Sequence, residues 1–278
     1  MNKDWLNNKT VIVTGASSGI GRGLTTTLIQ EHGCTVLGIG RREDRMKELT
    51  ASLGDDASRF SYQLFDVSEW KNWAAFRADL QKRGIQPDIL INNAGVLPPF
   101  DRFRHYSIEQ VAAVMGVNFY GAVYATHELL PLLLHSSSPA VVNVASADAL
   151  MPLAGTTAYS AGKAALKAFT EALREELRGR CYVGVVCPGF TKTDIFRNQA
   201  SSDEKEQRML RAVSCSCDKM VKKIIKGMRK QRGLMVIGAD AQCMKYGAKW
   251  MPVQGGRLFS SVLKRCGLSL FDSVFEDG

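Results

Sequence analysis

The sequence is poor in the residues that build metal sites and disulfide frameworks. It has only four histidines among 278 residues, and their positions show no metal-ligand spacing. Its seven cysteines are odd in number and include no C-x-x-C pair, which argues against a zinc site or a disulfide scaffold. We therefore expect no bound metal, and we expect small buried thiols in a reducing compartment.

Long apolar runs are also missing. No stretch approaches the ~18 apolar residues that a membrane-spanning helix needs. The first residues, Met1 to Trp5, are polar and lack the apolar core of a secretory signal. The sequence therefore predicts no transmembrane segment and a cytoplasmic location.

Positive charge exceeds negative charge, mostly towards the carboxyl end. The net charge is +9, and residues 201–278 hold 15 of the 36 Lys and Arg residues but only 8 of the 27 Asp and Glu residues. The chain has no nucleic-acid recognition motif and no aromatic residues interleaved with basic ones, so we expect no nucleic-acid partner. The basic stretch Lys222–Lys230 fits either a solvated amphipathic helix or a weak contact with a membrane surface.

What the sequence does contain is an alternation of short β-rich apolar runs and longer helical patterns. Runs such as Val141–Val144 are apolar on both faces, which is typical of strands in a parallel sheet. The order predicts an α/β fold with a doubly wound, Rossmann-like parallel sheet of seven strands. The predicted strands are Thr10–Thr14, Cys34–Gly40, Phe60–Phe65, Asp88–Ile91, Ala140–Ala145, Tyr182–Cys187 and Leu234–Ile237, and the predicted helices are Gly19–His32, Glu43–Ser52, Ser68–Arg83, Ser107–Leu134, Thr157–Arg178 and Cys217–Lys230.

No repeat, low-complexity tract or linker divides the chain. We expect residues 1–240 to form one dinucleotide-binding and catalytic domain. Residues 241–278 mix Met, Trp and Phe with Lys and Arg, which indicates a short helical extension packed on the same domain.

A glycine-rich turn follows the first predicted strand and leads directly into the first predicted helix. In an open parallel sheet this is where a dinucleotide binds. Glycine lets the backbone approach a pyrophosphate, and the free N–H groups at the start of the helix attract its charge. The spacing is G-x-x-x-G-x-G rather than G-x-G-x-x-G. The candidate cofactor residues here are Gly15, Ser17, Ser18, Gly19, Ile20 and Gly21.

The end of the second predicted strand indicates whether the dinucleotide is NAD or NADP. An NAD enzyme commonly has an acid here that binds the ribose 2′-hydroxyl, and an acid would repel a 2′-phosphate. This chain has Gly40 followed by Arg41 and Arg42. Because guanidinium groups bind phosphate through paired charge-assisted hydrogen bonds, the sequence favours NADP(H). Alternatively, the arginines are solvated, or Glu43 pairs with one of them.

A candidate catalytic group lies on the helix that follows the fifth predicted strand. Tyr159 and Lys163 are four residues apart and so share one helix face. We expect the ammonium and a cationic nicotinamide to lower the pKa of the phenol, which suits Tyr159 to donate or accept a proton. Ser146 ends the preceding strand, where its hydroxyl can hold a substrate oxygen.

These motifs, in this order, resemble the short-chain dehydrogenase/reductase family over residues ~8 to ~240. The resemblance implies hydride transfer between the nicotinamide and an alcohol or ketone, with Asn118 completing the group of Ser146, Tyr159 and Lys163. It implies a homodimer or homotetramer, with the helices Ser107–Leu134 and Thr157–Arg178 at one interface. It further assigns to the cofactor Asp66 (at the adenine), Val67, Asn93, Ala94, Gly95, Tyr159, Lys163, Pro188, Gly189, Thr191 and Thr193.

Several of these residues have simpler explanations. Asp66 could cap the helix that starts near Ser68, and Asn92 or Asn93 could be turn residues. Asn118 could be a polar residue tolerated inside a helix.

The small-molecule substrate is the least defined part of the hypothesis. Three segments that border the expected site are rich in Leu, Met, Phe and Pro, namely residues 96–106, 147–156 and 190–215. They favour a lipophilic secondary alcohol or ketone, such as a hydroxysteroid. A 3-oxoacyl thioester or a sugar or polyol ketone remains open, as do a lyase or epimerase and a non-catalytic cofactor sensor on the same fold.

Overall fold

The computed structural model describes residues 4–191, 215–265 and 274. Its centre is a parallel sheet of seven strands in the order β3-β2-β1-β4-β5-β6-β7. The strands are β1 (Thr10–Thr14), β2 (Thr35–Gly40), β3 (Phe60–Leu64), β4 (Ile89–Asn92), β5 (Ala140–Val144), β6 (Tyr182–Pro188) and β7 (Leu234–Ile237). The predicted fold class is confirmed.

Helices cover both faces of the sheet because its central strands are apolar on both sides. Leu24, Met46 and Ile224 come from three helices that pack on one face, and Trp73 and Leu129 come from two that pack on the other. The helices are α1 (Gly19–Gln30), α2 (Glu43–Ser52), α3 (Trp70–Lys82), α4 (Ile108–Met115), α5 (Gly121–Leu133), α6 (Thr157–Glu176), α7 (Cys217–Arg229), α8 (Ala239–Trp250) and α9 (Gln254–Arg265).

The prediction of one continuous helix over Ser107–Leu134 is wrong. A capping box between Ser107 and Gln110 starts α4 as expected. A π-helical turn, Gly116–Tyr120, then separates α4 from α5. Such turns insert a residue and redirect side chains, and they often mark functional sites.

Helices α8 and α9 pack on the segment that follows β5. Ala241, Met244 and Phe259 join one apolar cluster with Met151 and Leu153. In the described ranges, we find no helix with the length and apolarity that crossing a bilayer requires.

The cysteines are less uniformly buried than the sequence suggests. Cys34 and Cys187 are buried, whereas Cys181, Cys215 and Cys217 are partly exposed and Cys243 is exposed. All six are free thiols, and Cys266 lies outside the described residues.

A buried chain of polar side chains ties β4 and β5 to the helices beside them. The Asn92 amide donates to Asn143 Oδ1 at 2.8 Å, and the Asn143 amide donates to Thr170 Oγ1 at 2.9 Å. Thr170 in turn donates to the backbone carbonyl of Leu166. Because each group is buried, removing Asn143 takes one hydrogen-bond partner from each of its neighbours in a low-dielectric interior, and water does not replace it.

We predict that Asn143→Ala lowers the free energy of unfolding by about 2–4 kcal/mol, because it removes one hydrogen-bond partner each from the buried Asn92 amide and Thr170 hydroxyl and leaves a cavity between them. Guanidinium chloride unfolding measures the loss. The same substitution at the exposed Asn7 is the control and should cost less than about 0.5 kcal/mol. Equal losses at the two positions would show that the buried chain does not stabilise the fold.

Candidate active site

A cleft of about 510 Å³ opens at the carboxyl ends of the strands. Residues that end or follow all seven strands contribute to its wall, as expected where an open parallel sheet binds ligands. The predicted site residues in this wall are Gly15, Ser17, Ser18, Gly19, Ile20, Arg41, Arg42, Asp66, Val67, Asn93, Ala94, Gly95, Ser146, Tyr159, Lys163, Pro188, Gly189 and Thr191.

Three predicted site residues are not part of this wall. Gly21 and Asn118 are buried behind it. Thr193 lies outside the described residues, as does most of the segment 190–215 that was expected to border the substrate.

The glycine-rich turn is held tightly against the end of β4. Gly15 adopts φ +64°, and a Cβ at Gly21 would lie only 2.2 Å from the Gly15 carbonyl oxygen. The Asn93 amide donates to the Thr14 carbonyl at 3.0 Å, while Thr14 Oγ1 accepts the backbone N–H groups of Asn93 and Ala94, each at 2.9 Å. Asn93 therefore fixes the turn that precedes α1, and it is not simply a turn residue.

Arg41 pairs with Asp66 and not with Glu43. The Arg41 guanidinium lies 3.0 Å from Asp66 Oδ2, whereas Glu43 pairs with Lys47. Asp66 Oδ1 accepts the backbone N–H of Ser68 at 2.9 Å and its hydroxyl at 2.7 Å, which is a local turn and not a cap of α3. Partial burial raises the pKa of Asp66, but these hydrogen bonds and Arg41 outweigh it and lower the pKa overall.

Ser146, Tyr159 and Lys163 meet in the wall of the cleft. Ser146 follows β5, and the other two lie in the first two turns of α6. All three are at least nine-tenths buried. Lys163 Nζ donates to the Val144 carbonyl at 2.9 Å and lies 6.0 Å from the centre of the Tyr159 ring. The spacing therefore brings the lysine beside the tyrosine, as expected from the sequence.

The expected direction of the pKa shift at Tyr159 is wrong for the protein without ligand. Burial and the negative charge of Asp148 raise the pKa of the phenol, and a hydrogen bond with Ser146 only partly offsets them. Burial also lowers the pKa of Lys163 to about 8. Tyr159 is therefore a protonated phenol across the neutral range, which equips it to donate a proton.

Asn118 lies in the π-helical turn and supports this group from behind. Its amide nitrogen donates to the Val96 carbonyl at 2.8 Å, and its Oδ1 accepts the Val96 N–H at 3.0 Å. A Cβ at Gly95 would lie 3.0 Å from Asn118 Oδ1 and 3.1 Å from Lys163 Nζ. Asn118 thus holds the chain after β4 close to the lysine.

Two carboxylates in the wall were missed from the sequence. Asp148 follows Ser146 by two residues, and Asp240 begins α8 just after β7. Asp240 Oδ2 accepts the Phe190 N–H at 2.5 Å, and a Cβ at Gly189 would lie 2.1 Å from its Oδ1. An acid just after the end of a strand was the available signal, because strand ends deliver their side chains to the cleft.

Apolar side chains also line the cleft. They include Leu97, Phe100, Leu153, Phe190 and Met244. These residues come from the segments after β4, β5 and β6 and from α8, so the segments predicted to border the substrate contribute apolar side chains to the wall beside the carboxylate of Asp148.

Comparison with known proteins gives the family. Residues 9–204 match the family model of the short chain dehydrogenases. The chain is 33% identical over 205 residues to an 11-beta-hydroxysteroid dehydrogenase-like protein of Arabidopsis thaliana, an alignment that covers 71% of this chain and 65% of that protein. It thus spans just under two thirds of the length of that relative.

A bacterial relative and a crystal structure agree with this match. The NADP-dependent 3-hydroxy acid dehydrogenase YdfG of Escherichia coli K12 is 34% identical over 189 residues, which is 68% of this chain and 75% of that protein. A short-chain dehydrogenase from Streptomyces avermitilis superposes with a TM-score of 0.74 at 26% identity, covering 94% of this chain and 97% of that one. The chain therefore belongs to the short-chain dehydrogenase family.

Proposed function

We propose that the protein is an NADP(H)-dependent oxidoreductase that interconverts a lipophilic secondary alcohol and its ketone. The observation that carries this proposal is the meeting of Ser146, Tyr159 and Lys163 in the cleft that the glycine-rich turn also lines. A proton donor and a dinucleotide cradle in one cleft are what hydride transfer to a carbonyl requires.

The residues of the turn fit a dinucleotide pyrophosphate. Gly15 and Gly19 have positive φ values, which leave the backbone open to the cleft without strain. Helix α1 begins at Gly19 with no acidic residue in its first turn, so its free N–H groups can receive phosphate oxygens. Asp66 and Val67 lie at the adenine end of the cleft in this orientation, and Asn93 to Gly95 line its side.

Arg41 and Arg42 support NADP(H) over NAD. Both are exposed at the rim of the cleft, where a 2′-phosphate would meet them in that orientation. The ion pair with Asp66 already orders the Arg41 side chain, so little conformational entropy is lost when the guanidinium binds a phosphate. The Escherichia coli relative carries NADP dependence in its name.

The roles of the catalytic residues follow from their positions. The Ser146 hydroxyl holds the substrate oxygen, and Tyr159 donates a proton to that oxygen in ketone reduction or accepts one in alcohol oxidation. Lys163 binds the nicotinamide ribose and stabilises negative charge on the phenol, and Asn118 positions the chain beside it. NADPH, when bound, supplies the hydride. Pro188, Gly189 and Thr191, which line the cleft, would contact the nicotinamide end, a role that the family resemblance also assigns to Thr193.

The apolar part of the wall favours a lipophilic substrate such as a hydroxysteroid. The alternatives, a 3-oxoacyl thioester and a sugar or polyol ketone, differ in how much apolar surface they bury against Leu97, Phe100 and Leu153. A non-catalytic cofactor sensor is a second class of function. Such a sensor would not need Tyr159 and Lys163, and burying these two polar groups lowers the stability of the fold.

We predict that Tyr159→Phe lowers kcat for NADPH-dependent ketone reduction by about 100- to 10,000-fold, because the substrate oxygen loses its proton donor. A panel of ketosteroids, 3-oxoacyl thioesters and sugar ketones, followed by nicotinamide absorbance, measures turnover and identifies the class. The affinity for NADPH, measured by its fluorescence, is the control and should change less than about threefold. NADPH binding with no turnover of any class by the wild type would favour the sensor.

We predict that the double substitution Arg41→Ala and Arg42→Ala lowers kcat/KM for NADPH by about 10- to 100-fold, because two charge-assisted hydrogen bonds to the 2′-phosphate are lost. The value for NADH should change less than about threefold. Arg83→Ala, which removes a surface arginine paired with Asp79, is the control for general charge effects. A wild type that prefers NADH would contradict the assignment of NADP(H).

We predict that kcat/KM for ketone reduction at saturating NADPH is constant below about pH 8 and falls above it. Lys163 has a pKa lowered to about 8, so it loses its ammonium charge as the pH rises, whereas Tyr159 keeps its proton. In Lys163→Arg the charge persists, so the fall should disappear up to pH 10 even if the rate is lower. An identical fall in this variant would assign the titration to another group.

A further inference from the structure

Helices α8 and α9 form a hairpin whose tip is apolar and exposed. The two helices cross closely, since a Cβ at Gly255 would lie only 3.0 Å from the Gly247 carbonyl oxygen. The tip consists of residues 250–253, which end α8 and connect it to α9, and all four are exposed. Trp250 is 72% exposed and Val253 is 67% exposed. Four consecutive residues, Trp-Met-Pro-Val, therefore present one apolar surface to solvent.

The fold does not use this surface, because the inward side of the hairpin is already packed elsewhere. The inward residues join one cluster with Met151 and Leu153, and they are Ala241, Met244, Ala248 and Phe259. Of the eleven large apolar residues that are exposed in the described part of the chain, six lie within residues 246–262. An exposed apolar surface concentrated in this way is typical of a site that binds a partner.

The same hairpin carries positive charge without negative charge. Residues 241–265 contain five Lys and Arg residues and no Asp or Glu. Lys249 Nζ lies 5.2 Å from the centre of the Trp250 ring, and Lys245 Nζ lies 5.8 Å from the centre of the Tyr246 ring. Neither lysine forms an ion pair within residues 4–191 and 215–265. Their charge is therefore available to an anionic partner that also accepts apolar side chains.

A basic groove continues from the hairpin to the edge strand β7. It lies between α7, β7 and α8 and has a volume of about 670 Å³. Among the described residues, its wall contains no acid and four cationic side chains, which are Lys223, Lys226, Arg232 and Lys245. Helix α7 has no apolar face left to insert into a bilayer, because Ile224 and Ile225 are buried in the core. The basic stretch of residues 222–230 can thus contribute charge, while insertion is left to the hairpin tip.

We propose that the α8–α9 hairpin binds the surface of an anionic phospholipid bilayer. The tip enters the interfacial layer, which favours Trp and Tyr rings, and Lys245, Lys249 and Arg257 contact lipid phosphates. A second copy of this chain fits less well, because a two-fold contact would bring identical positive surfaces together. A nucleic acid would neutralise the charge but leave the apolar tip in water.

Co-sedimentation with phosphatidylcholine vesicles, with and without about 30% phosphatidylglycerol, tests the proposal. We expect the wild type to partition at least about tenfold more strongly onto the anionic vesicles. Trp250→Ala with Val253→Ala should lower that partition coefficient by about 10- to 100-fold, because apolar surface is lost from the interface. The control, Phe103→Ala with Ile108→Ala, removes two similarly exposed apolar residues elsewhere and should change the value less than about threefold.

A second pair of variants tests the charge. Lys245→Gln with Lys249→Gln should lower partition onto the anionic vesicles by about 10- to 30-fold and change partition onto the neutral vesicles less than about threefold. The matched control is Lys71→Gln with Lys82→Gln, which removes the same charge from exposed positions on α3. Equal losses in the two variants would show a general attraction of the cationic protein and would overturn the assignment to the hairpin.

Phosphatidylcholine brominated along its acyl chains locates the tip in the bilayer. Mixed into the anionic vesicles, it should quench the tryptophan emission of the wild type. It should quench the emission of Trp250→Phe much less, although this variant keeps an apolar ring and still binds. Equal quenching in the two proteins would place Trp250 outside the bilayer and contradict the proposal, whether or not the alanine variants fold.

Two further outcomes would overturn the inference. One is a wild type that binds neither kind of vesicle. The other is found by sedimentation velocity without lipid. If the wild type self-associates and Trp250→Ala with Val253→Ala abolishes this, the tip binds a second copy of the chain and not a bilayer.

Discussion

The hydroxyl of Thr14 accepts the backbone N–H groups of Asn93 and Ala94 where β1 and β4 stop pairing. At this point the chain leaves the two strands towards opposite edges of the sheet, since β1 continues to β2 and β4 continues to β5. A crevice must form between the departing segments. The bonds of Thr14 set its width, so the glycine-rich turn on one side and Gly95 on the other keep a fixed separation. Everything that lines the cleft is positioned relative to this junction.

Burial, and not neighbouring charge, is the largest cause of the pKa shifts in the site. It raises the pKa of Tyr159, lowers that of Lys163 and raises that of Asp148, so all three groups are shifted towards their neutral forms. Such a site disfavours ionised side chains until a charged ligand binds. A positive charge near Tyr159 stabilises the phenolate, which is left after the phenol donates a proton in ketone reduction and which is the base in alcohol oxidation.

The sequence predicts the parts of the structure that depend on one strand or helix at a time. The strand bounds are correct to within about a residue, because strands buried on both faces are uniformly apolar. Tyr159 and Lys163 meet because α6 is a regular helix. The π-helical turn Gly116–Tyr120 depends on how Asn118 contacts Val96, a tertiary contact that no local pattern reveals. The raised pKa of Tyr159 depends on burial and on Asp148, neither of which follows from a spacing of four residues.

The two ends of the cleft carry charge of opposite sign in the described residues. Arg41 and Arg42 lie at the rim beyond the glycine-rich turn, and Asp148 and Asp240 line the wall where the chain leaves β5 and β7. This arrangement orients a dinucleotide, because its phosphates are attracted to one end and repelled from the other.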